Sequence, residues 1–222
     1  MRHSVILLWE KLKGGDTLTR DNRFDHRSKS TFEKDVKFGT HMETYFFNKW
    51  SELVKDEHFD GIINLISWNH NGVDNSGGFI PTGQSTFGAD YKVTIEYCGE
   101  FYEDLPLEVK WVPTAGKLTL KKNDLKAYQK ENAAILFIYN TKNDGVDLRK
   151  PRDYNVAMHL KKIEKKADDL RWGIMFPEMV DNILHNCSDE FKPISYMGGK
   201  PGIIIKSERF GNFFDPHYWS VT

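Results

Sequence analysis

The chain has 222 residues, of which 39% are hydrophobic, 28% charged and 14% aromatic, so it can bury a sizeable core as one domain without disulfide or metal staples. Its 31 basic and 32 acidic residues nearly cancel, which argues against a protein that coats nucleic acid by charge alone but leaves room for a local basic surface beside an acidic metal site. The two cysteines, Cys98 and Cys187, are too few for a disulfide framework or a Cys-built zinc site, and a reducing, cytoplasmic setting is expected.

The apolar run at positions 5–9 is too short for a signal-peptide core or a membrane span and reads as a first strand or helix. Gly14 to Lys34 is polar and aperiodic, a loop or a mobile arm whose Arg20, Arg23, Arg27 and Lys29 suit contact with DNA. From Asp35 to Val54 the residues Phe38, Met42, Tyr45, Phe46, Trp50 and Leu53 make one apolar stripe at helical spacing. The run IINLIS after Gly61 predicts a buried strand. Asn69 to Gly88 is rich in Asn, Gly, Ser and Thr and reads as a long loop. Its Asn69, His70, Asn71, Asn75 and Gln84 are expected to read bases, to shape a groove or to be simply solvated.

The period then changes to two. Tyr91, Val93, Ile95 and Tyr97 point one way, and Lys92, Thr94 and Glu96 the other. CGEFYEDLP is expected to turn, and LEVKW resumes the alternation with Leu107, Val109 and Trp111 on one face and Glu108 and Lys110 on the other, making an antiparallel hairpin that Pro113 and Gly116 end. Asn123 or Asp124 can cap a helix through LKAYQKENA. AILFIYN follows as a continuous apolar strand, and strand–helix–strand order implies a crossover to a parallel neighbour.

A helix near Tyr154 carries the stripe Val156, Leu160, Ile163, Ala167 and Leu170. Lys161, Lys162, Lys165 and Lys166 lie off it, as a solvated face or as phosphate contacts. A short helix over Met179, Val180, Ile183 and Leu184 and a hairpin around Gly198, Gly199, Lys200, Pro201 and Gly202 complete the chain. There is no phosphate-binding loop of the Walker type, so no intrinsic ATPase is expected, and His58, His70, His159 and His185 have no metal-ligand spacing. The expected fold is α/β, a central mixed sheet flanked by helices, in a single domain over 1–222 with a helical and hairpin extension at 151–222.

The informative constellation is Asp90 followed by Glu108-Val109-Lys110. Residues two apart in a strand share a face, so Glu108 and Lys110 project together, and the hairpin brings Asp90 beside Glu108. Two carboxylates can hold a divalent metal that polarises a phosphodiester and activates water. Lys110 can orient or deprotonate that water, or stabilise the developing phosphorane charge. The alternative is the charged, wet face of a hairpin.

On the residues GAD, ending in Asp90, and LEVK, spanning Leu107 to Lys110, the chain resembles the PD-(D/E)xK nuclease superfamily. The family's nominal Pro is Ala89 here. The resemblance covers roughly residues 35 to 140. It implies a restriction-endonuclease-like core and a Mg²⁺-dependent endonuclease acting on DNA, with Mn²⁺ able to substitute, most readily a restriction-type enzyme working as a homodimer in the cytoplasm. The same resemblance implies Asp90, Glu108 and the Val109 carbonyl as metal ligands, Glu43 as an extra acid from the preceding helix, Lys110 at the attacking water and Gln129 in support. THMETYFF also resembles the helix of viral cap-snatching endonucleases, which makes His41 an alternative ligand. A phage or repair nuclease on structured, single-stranded or RNA substrates, and an inert nucleic-acid-binding module, are the competing readings.

Overall fold

The computed structural model describes residues 29–55, 62–71, 88–112, 117–140, 147–195, 199–214 and 217–218. The expected N-terminal element at 5–9, the basic side chains at 20–27, the loop residues Asn75 and Gln84, and Pro113 and Gly116 lie outside the described residues. The architecture is α/β. Its centre is a mixed sheet of six strands, in the order β1 (Ile63–His70), β2 (Tyr91–Tyr97), β3 (Glu100–Trp111), β5 (Ala134–Asn140), β6 (Leu170–Met175) and β9 (His217–Tyr218). Helix α1 (Lys29–Val54) precedes β1, β2, β3, β4 (Lys117–Lys121), α2 (Lys122–Glu131) and β5. Then come α3 (Val156–Glu164), β6, α4 (Pro177–Asn186), β7 (Lys192–Ile194), β8 (Lys200–Lys206) and the two-residue β9.

Helix α1 lays its stripe on one face of this sheet. Phe38, Met42, Phe46, Phe47, Trp50 and Val54 are buried with Leu107 and Val109 of β3 and Trp172 of β6, while Tyr45 and Leu53 sit at the margin. Each such apolar side chain contributes about 1.5–3 kcal/mol when fully buried. The helix begins at Lys29, six residues before Asp35, so residues 29–34 are helical rather than part of the expected loop. Helix α3 covers the same face through Ile163.

The other face meets α2, α4 and a second sheet of order β4-β8-β7. Here Ile135, Phe137 and Met175 pack with Leu125, Tyr128, Val180, Ile183, Ile203 and Ile205. Strand β5 is buried at every position because both its faces are covered, and it pairs parallel with β3 as the crossover requires. Gly202 sits where β8 passes between its neighbours: a Cβ there would stand 2.8 Å from the Leu120 carbonyl and 2.6 Å from the Ile194 side chain.

Four expectations are corrected. The turn of the hairpin is only Cys98-Gly99, both at positive φ (52° and 81°), and β3 already begins at Glu100. Acidic residues and Pro106 disguise this strand, which is bulged where the β2–β3 register shifts between Val93 and Ile95. Strand β1 lies at the sheet edge and is buried only near its start, with Ile66 and Trp68 exposed. Helix α2 has Lys121 at its cap rather than Asn123 or Asp124, and Asp124 in the first turn meets Lys121 at 3.6 Å instead. The helix near Tyr154 ends at Glu164, and Leu170 opens strand β6, which the helical spacing of Ala167 and Leu170 concealed.

Candidate active site

Strands β2 and β3 end unevenly. β2 starts at Tyr91, paired with Leu107, whereas β3 runs on to Trp111. Residues 108–111 therefore keep β5 on one edge and have no β2 residue on the other. Asp90 fills that opening. Its Oδ2 accepts a hydrogen bond from the Val109 N–H at 2.8 Å, and its carbonyl accepts from the Asn71 N–H at 3.0 Å. The Asn71 amide donates to the Ala89 carbonyl at 3.0 Å, so the bend into β2 is held from the neighbouring strand as well. One step beyond the Tyr91–Leu107 pair, Asp90 stands across from Glu108. In a strand the N–H and C=O of one residue leave on the same edge, so the Val109 carbonyl also faces the Asp90 side.

Because Leu107 and Val109 are fully buried under α1, alternation turns Glu108 and Lys110 to the opposite face, toward α2. Lys110 Nζ lies 2.5 Å from Glu108 Oε1, and the Tyr128 hydroxyl donates to the same oxygen at 3.1 Å. The Lys110 ammonium also stands 5.6 Å from the centre of the Tyr128 ring. Burial pulls the Lys110 pKa down, but the Glu108 carboxylate and Tyr128 outweigh it and hold the amine well above the ordinary lysine range. Burial drives the Tyr128 hydroxyl strongly upward, with Glu108 and Asp124 acting the same way against Lys110. At neutral pH the site thus carries an ammonium and a phenol. In this arrangement Lys110 acts as a positive charge rather than as a base.

The supporting residues divide. Glu43 is half-buried on α1 and acts with Asp90 on one hydroxyl, that of Tyr91. Burial is the largest cause that pushes Tyr91 up to about 12; a hydrogen bond with Thr44 opposes it, and the Asp90 and Glu43 charges add to it. Glu43 thus belongs to the helix on the Leu107–Val109 face of the sheet, opposite the face from which Glu108 projects. His41 is exposed, and its Nδ1–H donates to the Lys37 carbonyl at 2.8 Å. The Gln129 amide donates to Asp181 of α4 at 2.8 Å rather than to the acids. Its neighbour Tyr128 makes the contact with Glu108. Sequence reasoning passed over Tyr128, although a tyrosine three residues after Leu125 belongs on the buried face of α2.

The donors Asp90, Glu108 and the Val109 carbonyl are hard oxygens. Mg²⁺ characteristically takes one or two carboxylates and keeps its remaining positions for water and substrate phosphate. Among the described residues no three His, Cys, Asp or Glu side chains gather into a metal-binding group. A two-carboxylate set fits that mode of Mg²⁺ binding and does not fit a closed zinc or calcium cage. No family model, curated protein or solved structure matches the chain. Among the described residues no helix is long and apolar enough to cross a membrane.

Proposed function

We propose that the protein is a Mg²⁺-dependent endonuclease of the restriction-endonuclease-like type that hydrolyses DNA phosphodiesters as a homodimer. One observation carries this reading. Asp90 at the mouth of β2 and the Glu108-x-Lys110 pair of β3 flank the same Val109 peptide, at the point where β3 outruns its partner. Asp90, Glu108 and the Val109 carbonyl would hold the metal. When bound, Mg²⁺ would polarise the scissile phosphate and lower the pKa of a coordinated water. Lys110 supplies a fixed positive charge where phosphorane charge develops, and Tyr128 orients Glu108 through its hydroxyl. Two active sites in a symmetric dimer would serve the two strands.

A second reading has its own support. Asp90 already seals an unpaired strand edge, and Glu108 already pairs with Lys110 and Tyr128. A polar cluster of that kind also suits an inert nucleic-acid-binding module. Incubating the protein with plasmid, single-stranded DNA and RNA, each with Mg²⁺, Mn²⁺ or EDTA, separates the two. A restriction-type enzyme yields discrete plasmid fragments with either metal and none in EDTA. Nicking, smearing or cleavage of RNA alone would reassign the enzyme to structured or single-stranded substrates. Intact nucleic acid under every condition would support the inert module.

A further inference from the structure

A cavity of about 700 Å³ opens between the 147–152 segment and α3. Its wall carries Arg149, Lys150, Arg152, Lys162, Lys165 and Lys166 against a single carboxylate, Asp147. Arg149 clamps Asp147 through two bonds of 2.8 and 2.9 Å, and Lys150 pairs with Asp35 in the second turn of α1. Arg152, Lys162 and Lys165 have no carboxylate partner among the described residues. A second hollow of about 290 Å³ shares Pro151, Arg152, His159 and Lys162 with the first and adds one carboxylate, Asp153, so the two make one groove in which cations outnumber carboxylates.

His159 lines both hollows yet is only 5% exposed. Its Nε2 is buried and has no hydrogen-bond partner among the described residues. The ring is held by Phe38 of α1, 5.7 Å away between centroids, and it shares a helical face with Lys162 one turn on. A buried polar nitrogen without a partner is costly, and folded proteins seldom leave one so. His159 lines the groove that these cations wall, and an anion with strong acceptor oxygens bound there would offer its imidazole a partner.

We propose that this groove is a phosphate-binding site, in which Arg152, Lys162 and Lys165 supply charge and His159 Nε2–H donates the buried hydrogen bond. Phosphate matches on both counts, since it brings negative charge and several strong acceptors. Such phosphate comes either from a free nucleotide or from the backbone of a nucleic-acid strand. The groove lies on the α1–α3 face of the central sheet, whereas Glu108 and Lys110 project from the other face, so the proposal stands apart from the nuclease reading.

The test titrates the full chain, in EDTA, with inorganic pyrophosphate, a nucleoside triphosphate and a short single-stranded oligonucleotide, while NMR follows the His159 imidazole. Saturable binding is expected, with a shift of the His159 resonance and an affinity that falls as salt rises. The double variant R152E/K165E should bind about tenfold or more weakly. Both positions are exposed, so circular dichroism should show the fold kept. Tightest binding of the oligonucleotide assigns the groove to a strand backbone, and tightest binding of pyrophosphate or the nucleotide assigns it to a free phosphate ligand. A His159 resonance that no probe moves, or a double variant that binds as well as the wild type, overturns the proposal.

Discussion

The Asp90 carboxylate accepts the Val109 N–H at 2.8 Å, so one side chain both closes an open strand edge and stands beside the Glu108-x-Lys110 motif. These two roles separate by substitution. Asp90→Ala leaves the Val109 N–H without its acceptor and should destabilise the fold by about 1–3 kcal/mol. Asp90→Asn retains an acceptor oxygen and should lose less stability, yet it removes the charge a divalent cation needs. Urea denaturation with and without Mg²⁺ checks this: Mg²⁺ should stabilise the wild type and neither variant, and only the alanine variant should be markedly weaker in EDTA.

Lys110 lies 2.5 Å from the oxygen that Glu108 would offer a metal. A cation bound there competes with the ammonium for one carboxylate. Lys110→Met should therefore tighten Mg²⁺ binding by about fivefold or more while it lowers cleavage, because charge repulsion of about 1 kcal/mol or more, the value for unit charges about 4 Å apart in water, is relieved. Isothermal titration with Mg²⁺ measures this directly, and weaker binding in the variant would argue that Lys110 positions Glu108 for the metal.

The neutral His159 imparts a pH dependence. Burial holds its pKa below the ordinary value, Lys162 pushes the same way, and Asp147 and Asp153 pull back. The unfolded chain takes up a proton near pH 6.5 that the folded chain resists. The stability this group contributes is present above about pH 6.5 and is lost as pH falls through the folded value. His159→Gln should flatten that part of the decline in denaturation midpoints measured from neutral to mildly acidic pH. An unchanged slope would place the decline on carboxylates.

Gly202 is required by contact rather than by conformation. A Cβ there would press on the Leu120 carbonyl at 2.8 Å, backbone that cannot swing aside. Gly202→Ala should lower stability by about 1–3 kcal/mol through overpacking of the second sheet, which thermal unfolding would show.

What the sequence made legible follows from how strongly each segment repeats. Phe38, Met42, Phe46 and Trp50 recur at helical spacing and are all buried in α1; Tyr91, Val93 and Ile95 alternate and are all buried in β2. AILFIYN has no polar break before its last residue, and it is the strand covered on both faces. The signal failed where burial is partial. The first half of β3 reads FYED and faces solvent over much of its length, and the KLTL of β4 is too short to declare a sheet whose partner, β8, lies some eighty residues away. At the site, two-residue spacing sufficed to put Glu108 with Lys110. It could not give the Tyr128 contact or the turn of Gln129 toward Asp181, because both depend on how α2 and α4 pack. The basic groove was visible only as a run of lysines near one helix, of which Lys162, Lys165 and Lys166 line it; Arg152 and the buried His159 join them through the tertiary fold.

The central claim is that Asp90, Glu108 and Lys110 form a hydrolytic centre, and the rate of plasmid cleavage by Lys110→Ala in Mg²⁺ tests it most directly, with DNA binding and the folded spectrum recorded alongside. The packing at this strand end is carried by Val109, so the variant should fold and bind DNA. Its cleavage rate should fall by about 10² to 10⁴, the usual loss when a positioned charge or proton-transfer group is removed. A folded, DNA-binding Lys110→Ala that cuts at the wild-type rate would contradict the assignment and leave the cluster as the seal of an open strand edge.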